Sequence, residues 1–113
     1  MLILMLGTND LLQGCSPEDA AGKLEGFLSG LSLKPDQILL IAPPPMALGE
    51  WVSSQQLMDD SRTFAEYCDA LAQRLGIRFA DVGDWDIPLA YDGVHFTAQG
   101  HRTFAAKLLE VLK

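Results

Sequence analysis

Ile38-Leu39-Leu40-Ile41-Ala42 runs straight into Pro43-Pro44-Pro45. Five consecutive apolar residues leave no polar face for water. As a strand, the segment must be covered on both sides, as strands inside parallel sheets are. Leu2-Ile3-Leu4-Met5-Leu6 has the same character near the amino end, and residues 77–82 are a third candidate.

Helical patterns separate these runs. Ser16 is placed to cap a helix, with Pro17 at its first position and Glu18 and Asp19 in the positive first turn. Leu24, Phe27, Leu28 and Leu31 then fall on one stripe, and Pro35 rules out continuation. The next helix is predicted from near Ser54 to Leu75, with Phe64, Tyr67, Leu71 and Leu75 inward and Gly76 as its left-handed stop. Thr97 is placed to cap a last helix bearing Phe104, Leu108, Val111 and Leu112. The order βαβαβα, with right-handed crossovers, predicts an α/β fold: a three-layer α/β/α arrangement of about three parallel strands and three helices. Chemistry in such sheets gathers at the carboxyl ends of the strands. Residues 7–10, 43–51 and 83–97 lie there.

The 113 residues suffice for one domain, 1–113, and no repeat or linker divides it. With 49% hydrophobic and 20% charged residues the chain reads as globular. Fifteen acidic against eight basic residues give a net charge of −7, with no basic cluster, which argues against nucleic acid. The apolar opening is too short to span a bilayer and has no basic flank, so membrane insertion is not expected. Cys15 and Cys68 lack any metal-binding spacing and read as reduced thiols of a cytoplasmic protein.

Taken singly, the polar segments are unremarkable. Gly7-Thr8-Asn9-Asp10 reads as a turn, and Asp92-Gly93-Val94-His95 as a surface loop before a helix. Their order changes this reading. Leu-Met-Leu-Gly-Thr-Asn-Asp, then Ile41-Ala42-Pro43-Pro44-Pro45, then Asp92-Gly93-Val94-His95-Phe96-Thr97 before a final helix resembles the SGNH (GDSL-like) hydrolases, especially their arylesterase/acyltransferase-like branch. The resemblance covers essentially the whole chain. It implies a flavodoxin-like sheet and a serine ester hydrolase acting on small acyl or aryl esters through an acyl-enzyme, without cofactor or metal.

By that resemblance Asn9 matches the oxyanion-hole asparagine, His95 the general base and Asp92 the carboxylate that orients the imidazole. The short spacing lets a turn bring Asp92 and His95 together. The family's nucleophilic serine and oxyanion-hole glycine belong upstream of the Gly-Thr-Asn-Asp segment, which begins only six residues into this sequence. The expectation is therefore a C-terminal part of the domain, without a nucleophile. Ser16, Ser29, Ser32, Ser53, Ser54 and Ser61 match neither motif nor position and read as helix caps or solvated surface; His101 reads as helix surface. Asp59, Asp60, Asp81, Asp84 and Asp86 read as solvated caps and turns, with no histidine spaced to complete a metal site. Pro45, Met46 and Trp51 are candidates for one pocket wall, with Trp85 and Ile87 approaching His95 from the other side; the same residues equally suit a core under long loops.

In the family's sheet the serine-bearing strand lies beside the one formed here by Leu2–Leu6. Without it, that strand is an open apolar edge suited to a homodimer or a separate N-terminal segment, unless the chain is simply a truncated form. Three readings follow: part of an esterase, nearly inactive alone; a non-catalytic binding or interaction domain; or an enzyme using another nucleophile, such as Cys15 or a serine from an oligomer partner.

Overall fold

Ile38–Ala42 forms the strand β2, and all five residues are buried. The computed structural model describes every residue, Met1–Lys113. β1 (Leu2–Leu4) pairs with one side of β2 and β3 (Arg78–Asp81) with the other, both parallel, in the order β1-β2-β3. Leu39 stands opposite Ile3 on one side and Arg78 on the other.

Between β1 and β2 lie α1 (Thr8–Leu12) and α2 (Pro17–Ser29); α3 (Gln55–Leu75) joins β2 to β3, and α4 (Ala98–Leu112) closes the chain. Two right-handed crossovers stepping the same way across a sheet put their helices on one face. Accordingly α1, α2 and α3 cover Leu4, Ile38, Leu40 and Ala42 in the larger core. On the other face, Leu39, Ile41 and Val82 pack under Phe104, Leu108 and Val111 of α4. This is the three-layer architecture expected.

The helix ends follow local chemistry. Ser16 Oγ accepts from the Asp19 amide at 3.1 Å, Ser54 Oγ from Leu57 at 3.3 Å and Thr97 Oγ1 from Gly100 at 2.9 Å. Each satisfies an amide that the first helical turn leaves unpaired. Gly76 ends α3 in the left-handed conformation.

Several expectations need correction. A fourth helix, α1, forms where a polar turn was expected, because Leu11 is buried in the core and holds the segment down in helical form. β1 stops at Leu4, since Met5 and Leu6 already lead into Gly7, whose φ of 123° turns the chain sharply. β3 is likewise shorter than residues 77–82. In α2 the inward positions are Ala20, Leu24 and Leu28, spaced at four residues, so Phe27 is rotated outward and exposed. Tyr67 sits at the rim, donating its hydroxyl to Glu18 at 2.9 Å, and Leu112 faces solvent. Ser61 is buried at 5% exposure rather than solvated: its Oγ accepts from the Met46 amide at 2.9 Å and donates to the Met58 carbonyl at 2.8 Å.

No helix is long and apolar enough to cross a membrane. Cys15 and Cys68 are both free thiols. Burial, with the Asp81 charge adding to it, pushes the Cys68 thiol up to about 12, so it stays protonated within the core.

The central position of β2 sets the stability prediction. Leu40→Ala empties a fully buried site between two ladders and should cost about 2–5 kcal/mol. Ile3→Ala, on the strand's free edge and 40% exposed, should cost less than half as much. Urea denaturation compares the two; equal losses would contradict the assignment of β2 as the doubly covered strand.

Candidate active site

Asp92 begins the chemistry of the rim. One carboxylate oxygen, Oδ1, accepts from the Val94 amide at 2.8 Å and the His95 amide at 2.9 Å, a tight local turn. The other, Oδ2, lies 2.6 Å from His95 Nδ1. An ionised carboxylate can only accept, so Nδ1 carries the proton, and in the neutral ring Nε2 holds the free lone pair. The Val94 amide is the main influence holding the Asp92 carboxyl below the usual carboxylate range. Burial opposes it, and the His95 amide and ring reinforce the lowering. The Asp92 side chain is 8% exposed and that of His95 60%, so a sheltered carboxylate orients an accessible imidazole.

Main-chain bonds mount this turn. Ala90 N donates to the His95 carbonyl at 2.7 Å, and Gly93 N to Ala90 at 3.0 Å. The loop after β2 grips it from outside: Ala47 N donates to Gly93, Glu50 N to Tyr91 and Trp51 N to Asp92, at 3.0, 3.0 and 3.1 Å. Gly93 has a φ of 82°, and a side chain there would run into the Ala47 carbonyl.

His95 opens on a cleft of about 440 Å³ built from the ends of β1 and β2 and the loop before α4. Residues 5–10 follow β1, Pro43 and Pro44 follow β2, and Val94, His95 and Phe96 come from the last loop. Asn9, exposed on α1, and His95 therefore share one cleft at the carboxyl rim of the sheet. Thr8 and His101 also line it. His101, expected only on the helix surface, is in the first turn of α4, its ring 5.3 Å from that of Phe96. Its position four residues after the Thr97 cap was the available signal, because the first turn after a loop stays close to that loop.

The proposed pocket walls fare unequally. Trp51 does touch the imidazole, with ring centroids 4.9 Å apart and planes at 81°. Met46 is 3% exposed within the larger core, held there by the Ser61 bond. Pro45 borders a different hollow of about 270 Å³, lined also by Arg62, Glu66, Asp69, Asp81 and Asp84. Burial raises the Asp81 carboxyl there, against the lowering effect of the Gly83 amide, with Asp84 and Asp69 adding to the rise. Trp85 packs on Phe104, and both Trp85 and Ile87 belong to the core beneath α4. The cleft is thus walled by residues 5–10, Pro43, Pro44, residues 94–96 and His101, and none of the five candidates, Trp51 included, lines it. No serine lines it; Ser16 and Ser54 cap helices and Ser61 is buried. Cys15 contacts Lys23 Nζ at 3.4 Å and lies outside the cleft.

These features define a class: a parallel α/β protein whose strand ends gather an Asp–His pair and an asparagine side chain about one cleft. The chain belongs to the GDSL-like lipase/acylhydrolase family, whose model matches residues 1–103. Among solved structures it is similar to an aryl esterase of M. smegmatis, with a TM-score of 0.82 and 25% identity over 97% of this chain. It is also similar to Est24, a carbohydrate acetylesterase of Sinorhizobium meliloti, with a TM-score of 0.79 and 24% identity over 98%. A Geobacillus acetyl-xylooligosaccharide esterase, Axe2, shares the fold with a TM-score of 0.75 and 18% identity over 96% of this chain. The chain spans 58%, 60% and 57% of those three structures, respectively. No curated protein matches it in sequence.

The lowered Asp92 pKa carries a sign. A carboxylate depressed on folding stabilises the native state above its unfolded value, about 3.9, and that stabilisation is lost as pH falls through the folded value. Asp92→Asn should therefore be less stable than wild type at neutral pH, with the gap closing as pH falls below about 4. Thermal melts across that range check it; a gap that widens on acidification would reverse the assignment.

Proposed function

We propose that this chain supplies the oxyanion-hole asparagine and the Asp/His pair of a serine ester hydrolase acting on small acyl or aryl esters. The observation that carries the proposal is the 2.6 Å contact of Asp92 Oδ2 with His95 Nδ1, opening on the same cleft as Asn9. Family membership and the esterase activities named for the similar structures support it.

In this reading a serine hydroxyl from outside these residues enters the cleft. Nε2 of His95 takes its proton as it attacks the ester carbonyl, and Asp92 stabilises the imidazolium that forms. The Asn9 amide donates to the oxyanion, a contribution of about 3–4 kcal/mol for one such donor. The imidazole then returns the proton to the leaving alcohol, and water repeats the sequence to release the acid. Neither a metal nor a cofactor takes part. The two free thiols favour a reducing, cytoplasmic setting.

For the chain by itself, p-nitrophenyl acetate should be hydrolysed no faster than by free imidazole, and a fluorophosphonate should leave it unlabelled. Robust turnover abolished by His95→Ala would place a nucleophile among these residues instead. With the serine-bearing segment supplied, His95→Ala or Asp92→Asn should lower kcat by about 10²–10⁴-fold with KM little changed. A change confined to KM would refute the assigned roles.

A second reading, a non-catalytic interaction domain, is favoured by the edge of β1. That strand pairs only with β2, and Met1, Ile3 and Leu6 in and around it are 63%, 40% and 51% exposed. Such an edge accepts another strand, from a second copy or from an N-terminal segment. Analytical ultracentrifugation should find this chain self-associated and Ile3→Lys monomeric; a wild-type chain that stays strictly monomeric would remove homodimer pairing.

A further inference from the structure

We infer that Trp51 is the positioning residue for the His95 imidazole, holding the ring in the orientation that keeps Nε2 available at the cleft. The inference rests on the reading of Asp92 and His95 as the working pair.

One hydrogen bond does not fix a ring. The Asp92 contact at Nδ1 leaves the imidazole free to swing about that bond, and a side chain 60% exposed has little else to restrain it. The indole of Trp51 supplies the second restraint, crossing the imidazole nearly at right angles, at 81°, with centroids 4.9 Å apart. That separation and angle are those of a favourable edge-to-face aromatic pair.

The same residue is tied to the other member of the pair. Trp51 N donates to the Asp92 carbonyl, and the flanking bonds from Ala47 and Glu50 make residues 47–51 and 91–93 move together. Val52, next in sequence, is 1% exposed and anchors the loop in the core. The indole therefore stands on a fixed base although it is itself 52% exposed. An exposed tryptophan on an anchored loop, edge-to-face with a general base, adds little to the core and much to the order of the ring.

The test reads the ring rather than turnover, so it stands apart from the hydrolase reading. NMR on this chain measures the rotamer couplings of the His95 side chain and the water exchange of its Nδ1 proton. In wild type one rotamer should dominate. In Trp51→Ala the couplings should average, and proton exchange should quicken roughly two- to tenfold, the factor set by one lost aromatic contact. Trp51→Phe should restore both, while amide signals of the core stay in place in all three proteins. An unchanged His95 ring in a folded Trp51→Ala overturns the inference, as does a Trp51→Phe ring as mobile as that of Trp51→Ala. A Trp51→Ala chain that loses its core signals also overturns it, since Trp51 would then be holding up the fold. An ordered, Trp51-dependent ring together with His95→Ala and Asp92→Asn effects confined to KM, once the serine-bearing segment is supplied, would sink the hydrolase reading and leave this one standing.

Discussion

Parallel pairing of β2 with both neighbours is the constraint on which the rest of the molecule depends. Because all three strands point one way, the segments that leave them emerge at one rim. Parallel strands need crossovers, and two crossovers stepping in one direction load three helices onto one face and leave α4 the other. Asn9 after β1, Pro43 after β2 and His95 beyond β3, nearly ninety positions apart at the extremes, meet at one cleft for this reason.

At that rim the Asp92 carboxylate has two tasks. Its Oδ1 closes a turn by taking two amides, and its Oδ2 orients an imidazole. The same amides that shape the loop keep the carboxyl ionised, and only an ionised carboxylate fixes the ring proton on Nδ1. Local backbone geometry and proton chemistry are thus set by one side chain, and no buried side-chain polar atom in the protein lacks a partner.

What was legible in the sequence was what local chemistry decides. The unbroken apolar run 38–42 could only be a doubly covered strand, and Ser16, Thr97 and Gly76 mark helix ends through bonds and dihedrals a few residues wide. The Asp92–His95 contact was legible because three residues separate the partners. Helix α1 was not, since what stabilises it is the burial of Leu11 by distant residues. The bonds from 47–51 to 91–93 were not either, because main-chain donors and acceptors leave no mark in residue type. Pro45 and Met46 illustrate the cost: proximity in sequence to a strand end does not say which way a loop turns its side chains. Ser61 could have been found, for it shares the inward spacing of Phe64, Ala65 and Cys68.

Ser61 and Phe64 also explain how the two halves of the rim are kept in register. They stand three apart, on neighbouring positions of the inner face of α3. Ser61 Oγ takes the Met46 amide and so fixes the start of the loop that grips Asp92. The Phe64 ring occupies the space a side chain at Gly7 would need, and so seats the turn that presents Asn9. One turn of one helix therefore references both the asparagine and the mount of the histidine. Motion of α3 against the sheet would carry the two loops together. The packing of one buried helical face thus bears on both loops, alongside the main-chain bonds that tie residues 47–51 to 91–93.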